Sequence, residues 1–216
     1  MKKALAGLAV VAAAAAAPVQ AAPMEFVADV GDFIFPIPRG SSATATGTFT
    51  LNEAQTELSY FITFNGLDLK ENPAERTGVG DVNAIHFHVG SASEIGPHAL
   101  NVFGITLGQI VEDDDDLVVD WDANTVSGVW DDSDLTPPGL GIPPGPSSVP
   151  LTSIISNLMA GEIYVNVHTA EWPSGEIRGQ IERVPEVPVP APLWLMGTVL
   201  LGLVVRGRNV RVENRG

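Results

Sequence analysis

The 216-residue sequence contains no cysteine, few aromatic residues (6%) and few basic residues. Without cysteine, the chain has no disulfide bond, no thiol nucleophile and no zinc site built on sulfur. Its 11 Lys and Arg residues are outnumbered by 26 Asp and Glu residues, which gives a net charge of −15 at pH 7. A surface of this sign repels phosphate backbones, so we exclude nucleic acid as a partner.

Apolar residues are plentiful, at 45% of the chain, together with 22 Gly and 17 Pro. This content excludes wholesale disorder and is enough for a packed core. The sequence carries no nucleophile elbow, phosphate-binding loop or HExxH motif. It therefore indicates no particular enzymatic reaction.

Residues 1–22 have the three parts of a secretory signal peptide. Lys2 and Lys3 precede an apolar run that ends at Ala17, and the small residue Ala21 marks the expected cleavage region. We therefore expect the secretion translocon as a partner. The mature chain should begin near Ala22 or Pro23, outside the cytoplasm.

Residues 186–216 combine a Pro-rich linker, an uncharged stretch and an Arg-rich tail. The uncharged stretch from 187 to 205 has 19 residues, just enough for a transmembrane helix. Arg206 and Arg208 follow it, and the positive-inside rule places such arginines in the cytoplasm. We expect this segment to anchor the chain in the inner membrane with its domain outside.

The tail resembles the PEP-CTERM sorting signals in their Val-Pro-x-Pro-Ala variant, here Val187-Pro188-Val189-Pro190-Ala191. The resemblance implies that the anchor is transient. It also implies that an exosortase-type processing enzyme cuts the tail and passes the protein to the cell surface. Members of that family come from Gram-negative bacteria that make extracellular polysaccharide, which is therefore a candidate partner.

The remaining residues, 23–185, form one acidic domain with five basic and 24 acidic side chains. Alternating apolar and polar residues between turn signals predict strands at 43–51, 57–65, 84–89, 100–106, 117–121, 125–130, 162–169 and 175–183. Only 151–160 has helical spacing, and 137–150 predicts an irregular loop. The expected fold is all-β, an antiparallel Greek-key sandwich or barrel with one short helix.

Four histidines are the candidate metal ligands: His86, His88, His98 and His168. Because side chains alternate along a strand, His86 and His88 should project from one face. Imidazoles without carboxylate or thiolate partners suit copper or zinc. The alternative is ordinary histidines on a polar strand face, hydrogen-bonded to carboxylates and turns.

Several motifs resemble the CHRD domain, the module repeated in chordin. Its closing motif is matched by Gly161-Glu-Ile-Tyr-Val-Asn-Val-His-Thr-Ala170 and Pro173-Ser-Gly-Glu-Ile-Arg-Gly-Gln-Ile181. Earlier blocks are matched by Ile85-His-Phe-His-Val-Gly90 and Gly128-Val-Trp130. The resemblance covers about Phe26 to Arg183. It implies an all-β, immunoglobulin-like or related sandwich without an assigned biochemical activity, common in exported bacterial proteins.

The histidine run is also similar to the copper-ligand run of copper/zinc superoxide dismutase. That similarity implies copper ligands at His86, His88 and His168, and a bridging imidazole at His98. The cysteines of that family's disulfide and its further zinc ligands are absent here. The acidity of the domain would also repel superoxide. We therefore expect shared architecture and a metal site rather than dismutase activity.

The last predicted hairpin carries three residues to which we assign structural roles. Arg178 is expected to pair with Glu162 or Glu176 and so to hold the register of the hairpin. Gly175 and Gly179 are expected to provide turn or bulge geometry.

Two further patterns point to other ligands. Asp120, Asp122 and Asn124 begin like an EF-hand calcium loop, although Thr125 stands where the loop needs Gly. A solvated acidic loop that opposes aggregation is the alternative. Three tryptophans are the candidates for stacking against a carbohydrate: Trp121, Trp130 and Trp172.

Together these patterns predict an exported, cell-surface CHRD-domain protein with a structural or adhesive role in the envelope or extracellular matrix. The alternative is a metal-binding protein or small superoxide-dismutase-like metalloenzyme, with copper or zinc held by the four histidines.

Overall fold

The computed structural model describes residues 22–33, 37–106, 109–110, 112–135 and 148–185. The expected signal peptide up to residue 21 and the whole C-terminal sorting signal, from 186 onward, lie outside the described residues. So do positions 137–147 of the expected loop. Among the described residues, no helix has the length and apolar character needed to cross a membrane.

The described residues form two antiparallel sheets and one short α-helix. The first sheet contains β1 (Met24–Val30), β2 (Thr44–Leu51), β3 (Leu58–Asn65), β7 (Val118–Asp120), β8 (Thr125–Trp130) and β11 (Glu182–Arg183). The second contains β4 (Val82–Val89), β5 (His98–Thr106), β6 (Gln109–Ile110), β9 (Ile163–Thr169) and β10 (Ile177–Gln180). Their spatial orders are β11-β1-β2-β3-β8-β7 and β10-β9-β4-β5-β6.

The core lies between the two sheets. Phe87 of β4 contacts aromatic rings of the first sheet edge-on or tilted, with centroids 5.8 Å from Phe49, 5.4 Å from Tyr60 and 5.8 Å from Trp130. The alternate residues of β1, β2 and β3 that face this layer are buried, whereas their neighbours are exposed. The expected all-β sandwich is confirmed.

Most strand predictions match the structure to within two residues, but four details differ. The two-residue strand β6 falls outside every predicted strand. β1 was not predicted, although Phe26, Ala28 and Val30 alternate with exposed residues. The segment 175–183 divides into β10 and β11, which pair with different sheets. The predicted helix is shorter and consists of a 3₁₀ turn, Leu151–Ser153, followed by α1 (Ile155–Met159).

The second sheet places β4 between β5 and β9. The β4 side chains that do not face the core therefore have a neighbouring strand on each side. The β4–β5 pairing is also irregular, with register shifts after Ile85 and after Phe87. Such irregularities re-aim side chains, and these two directly precede His86 and His88.

Candidate metal centre

The four histidines meet on the face of the second sheet opposite the core. His86 and His88 come from β4, and His98 of β5 is the cross-strand partner of His88. His168 of β9 lies opposite Ala84, two positions along β9 from Asn166, the partner of His86. The ring centroid of His98 is 4.2 Å from those of both β4 histidines, and that of His168 is 4.8 Å from His86.

Three of the four histidines form a tight group. The ligand nitrogens of His86, His88 and His98 all lie within 4.8 Å of one another. Zinc and copper bind imidazole nitrogen at about 2.0–2.1 Å. Three nitrogens bound to one ion therefore lie somewhat closer to one another than 4.8 Å. Modest rotations of the rings would bring the three nitrogens onto one ion. His168 adjoins the group through His86 but is not part of it.

Hydrogen bonds to backbone carbonyls fix the protonation of two rings, those of His88 and His168. Nδ1 of His88 lies 3.0 Å from the Gly96 carbonyl, and Nδ1 of His168 lies 2.9 Å from the Pro173 carbonyl. Because a carbonyl oxygen only accepts, each Nδ1 carries the proton and donates. Each Nε2 then keeps a lone pair, which is the form of histidine that binds a metal.

His98 is oriented through a relay that ends on a carboxylate. Its Nδ1 lies 3.0 Å from Asn101 Oδ1, while Asn101 Nδ2 donates to Asp113 Oδ2 at 2.7 Å. Ser148 Oγ donates to the same Asp113 oxygen at 2.6 Å. Outer partners of this kind orient histidine ligands and raise their basicity in known metal sites.

Burial keeps the cluster neutral. It lowers the pKa of His88 to about 3 and that of His168 to about 4, with neighbouring imidazoles contributing further. The pKa values of His86 and His98 are also below the usual histidine value, again chiefly because of burial. At pH 7 the imidazoles are therefore uncharged, so protons do not compete with a metal ion for their lone pairs.

The Nε2 atom of His88 is buried and has no hydrogen-bond partner among the described residues. The whole residue is only 5% exposed. A buried acceptor without a partner costs about 1–3 kcal/mol. A metal ion bound to this lone pair would remove that cost.

Arg178 holds a loop over the cluster. It is buried, lies over the Tyr164 ring at 4.6 Å, and donates through one nitrogen to the carbonyls of Ala92 (3.3 Å) and Glu94 (2.7 Å). The expected partner Glu176 instead accepts hydrogen bonds from the hydroxyls of Ser41 and Thr169. Arg178 thus fixes the 90–97 loop, a contact between distant segments that strand patterning does not reveal.

The two glycines of the last hairpin serve different purposes. Gly175 lies in the turn before β10 with φ +109°, and a Cβ there would stand 2.5 Å from Asn166 Oδ1. Gly179 lies within β10, where a Cβ would clash with the backbone of β1 at Asp29 and stand 2.8 Å from Val30 Cα. Gly175 therefore permits a left-handed turn, while Gly179 permits close backbone approach rather than a bulge.

The expected calcium ligands are engaged in a hairpin. Asp120 Oδ1 accepts the N–H groups of Asp122 (3.1 Å) and Ala123 (2.9 Å), which closes the turn between β7 and β8. Asn124 Oδ1 accepts the N–H of Leu69 at 3.0 Å. The side chains of Asp120 and Asn124 thus have structural partners, which give the calcium expectation no support.

A second acidic group lies elsewhere, at Asp114, Asp115 and Asp134. Asp114 accepts a hydrogen bond from the Tyr60 hydroxyl, and Asp134 accepts the backbone N–H groups of Asp115 and Asp131. Burial raises the pKa of Asp134 to about 6. The carboxylates of Asp114 and Asp134 thus already have donors within the fold.

The three tryptophans have different environments. Trp130 is fully buried, and its Nε1 donates to the Val149 carbonyl at 3.3 Å. Trp172 is covered by the guanidinium of Arg39, 4.9 Å from the ring centroid. Trp121 is partly exposed and lines a cleft of about 520 Å³.

A comparison with protein-family models agrees with this architecture: the model of the CHRD domain matches residues 28–181. The chain belongs to the CHRD-domain family. No curated protein and no solved structure matches it. The CHRD domain is typical of extracellular and secreted proteins. Both ends of this match lie within two residues of the limits expected from the motifs, Phe26 and Arg183.

Proposed function

We propose that the protein is an exported CHRD-domain protein that binds one copper or zinc ion through His86, His88 and His98. The observation that carries this proposal is the convergence of three neutral imidazoles whose ligand nitrogens lie within 4.8 Å of one another. Two of the rings, those of His88 and His98, have their Nδ1 atoms bound to oxygen acceptors, so that Nε2 is the ligand atom.

The chemistry of the donors limits the choice of ion. Imidazole nitrogen suits copper and zinc, whereas calcium and magnesium prefer oxygen. His86 and His88 are 4% and 5% exposed, whereas His98 is only partly buried, so exogenous ligands would reach the ion from the side of His98. The protein scaffold would hold the ligands by sheet pairing, because the chain has no disulfide to do so.

The ends of the chain support an extracellular site of action. The signal peptide of 1–22 would deliver the domain across the inner membrane, and the tail would anchor it there transiently. An exosortase-type enzyme would then read the Val187–Ala191 motif and release the domain to the surface of a Gram-negative cell. Copper and zinc ligands that need no thiolate suit this oxidising location.

Metal analysis of the full-length protein purified without an affinity tag tests the proposal. We expect about one equivalent of copper or zinc after incubation with the metal and removal of excess. The double variant His86→Ala, His88→Ala should lose it. The control Ser59→Ala, Thr63→Ala changes two exposed residues of the other sheet and should retain it. Metal-free wild-type protein would contradict the proposal.

A second candidate function is a structural or adhesive role in the extracellular matrix, through binding of polysaccharide. The cleft beside Trp121 favours it, because an aromatic ring stands there next to the carboxylates of Glu71 and Glu112. Aromatic faces stack on sugar rings and carboxylates accept sugar hydroxyls. Glycan-array binding that is lost in Trp121→Ala and kept in Trp172→Ala would support this role. Absence of binding by the wild type would exclude it for the glycans on the array.

A further inference from the structure

The fourth histidine differs from the others in what binds its coordinating nitrogen. His168 donates through Nδ1 to the Pro173 carbonyl, so its Nε2 carries a lone pair. Asn166 Nδ2 lies 2.9 Å from this Nε2 and donates to it. The lone pair that would bind a metal ion is therefore occupied by a side-chain amide. By contrast, His88 Nε2 makes no hydrogen bond among the described residues.

Asn166 is held in this position by its surroundings. It is 2% exposed and lies on β9 between His86 of β4 and Arg178 of β10. Its Oδ1 is directed towards Gly175, where any Cβ would stand 2.5 Å away. That oxygen makes no hydrogen bond among the described residues, so the bond to His168 decides which way the amide faces.

The arrangement of ligand atoms agrees with this occupancy. The group whose nitrogens approach within 4.8 Å contains His86, His88 and His98 but not His168. A site with three protein ligands leaves a coordination position for an exogenous ligand, whereas four protein ligands close a site. The difference between these two kinds of site depends here on one amide.

We propose that Asn166 keeps His168 out of the coordination sphere, so that the ion has three imidazole ligands and one position open to a small exogenous ligand. This inference rests on the proposed metal site. It assigns Asn166 as a positioning residue that acts through His168 and does not itself touch the ion. Removal of the amide should free Nε2 and convert an open three-histidine site into a closed four-histidine site.

The test compares Cu(II)-loaded wild type with Asn166→Ala, and counts imidazole ligands by pulsed electron paramagnetic resonance. We expect three in the wild type and four in the variant. Azide, as a probe of the open position, should bind the wild type and bind the variant about tenfold or more weakly. Asn65→Ala, at an exposed end of β3, is the control and should behave as the wild type does. Four imidazoles in the wild type, or three in Asn166→Ala with unchanged azide binding, would overturn the inference.

Two further measurements separate this inference from the proposed function. Copper uptake by Asn166→Ala but not by the wild type would contradict the proposed function and support the blocking role of Asn166, while uptake by neither would overturn both. In the metal-free wild type, ¹⁵N NMR should show His168 protonated at Nδ1 with Nε2 as an acceptor. The opposite tautomer would overturn the inference whether or not the variant folds. Asn166→Ser, which is too short to reach Nε2, gives a second variant should Asn166→Ala fail to fold.

Discussion

His88 and Tyr164 stack face to face on neighbouring strands, with ring centroids 4.9 Å apart and ring planes 5° from parallel. Both side chains also bind Gly96. His88 Nδ1 donates to its carbonyl at 3.0 Å, and Tyr164 Oη accepts its N–H at 3.0 Å. The pair thus holds the 90–97 loop over the cluster, and the same contacts set the tautomer of His88.

Tyr164→Phe should loosen this loop without disturbing the stack. The variant keeps the ring but removes the acceptor of the Gly96 N–H, so we expect the free energy of unfolding to fall by about 1 kcal/mol. Urea denaturation measures the change, and hydrogen exchange at Gly96 should become faster. Unchanged exchange at Gly96 would show that the hydroxyl does not hold the loop.

Tyr60→Phe should destabilise the fold through Asp114. The Tyr60 hydroxyl donates to this buried carboxylate, and a buried charged acceptor that loses its donor costs about 1–3 kcal/mol. Because burial already raises the pKa of Asp114, the loss should be smaller at acidic pH, where the carboxyl takes up a proton. Urea denaturation at two pH values measures it, with the exposed Ser59→Ala as the control. A loss independent of pH would contradict this explanation.

The metal-free protein should lose stability as the pH falls below neutral. The pKa of His88 is about 3 in the fold against an ordinary value of 6.5, and that of His168 is about 4. The unfolded chain therefore binds more protons than the folded chain between pH 6.5 and these values, and acidification favours unfolding. Chelator-treated protein, unfolded with urea at several pH values, measures the slope. His88→Gln should make it shallower, and an unchanged slope would contradict the assignment.

Asp134 should act in the opposite direction. Burial raises its pKa from 3.8 to about 6, so the folded chain binds the extra proton between these values and acidification favours folding through this group. Asp134→Asn removes this stabilisation at acidic pH. The variant should therefore lose stability more steeply than the wild type between pH 6 and pH 4. A shallower loss would show that Asp134 does not titrate as described.

The fold was largely predictable because its strands are amphipathic. β2 and β3 alternate buried and exposed residues along their length, and this period of two is visible in the sequence. β1 has the same pattern, but it directly follows the expected signal peptide and is not among the predicted strands. The division of 175–183 could not be predicted, because it depends on which sheet each half meets.

The candidate site was predictable only in part. The spacing of His86 and His88 places both rings on one face. The similarity to a copper-ligand run adds His98 and His168 as candidate ligands. The backbone carbonyls that fix the tautomers, at Gly96 and Pro173, belong to loops and carry no side-chain signal. The bond between Asn166 and His168 follows from the same i, i+2 spacing on β9, but its consequence depends on rotamers that a sequence does not reveal.

The most direct test of the metal site is anomalous X-ray diffraction from crystals of the full-length protein grown with copper or zinc, with data collected at the absorption edge of the metal. We predict one peak among His86, His88 and His98, about 2.0–2.1 Å from their ligand nitrogens. A map with no peak at these histidines, or with its only peak at Asp114, Asp115 and Asp134, would contradict the account.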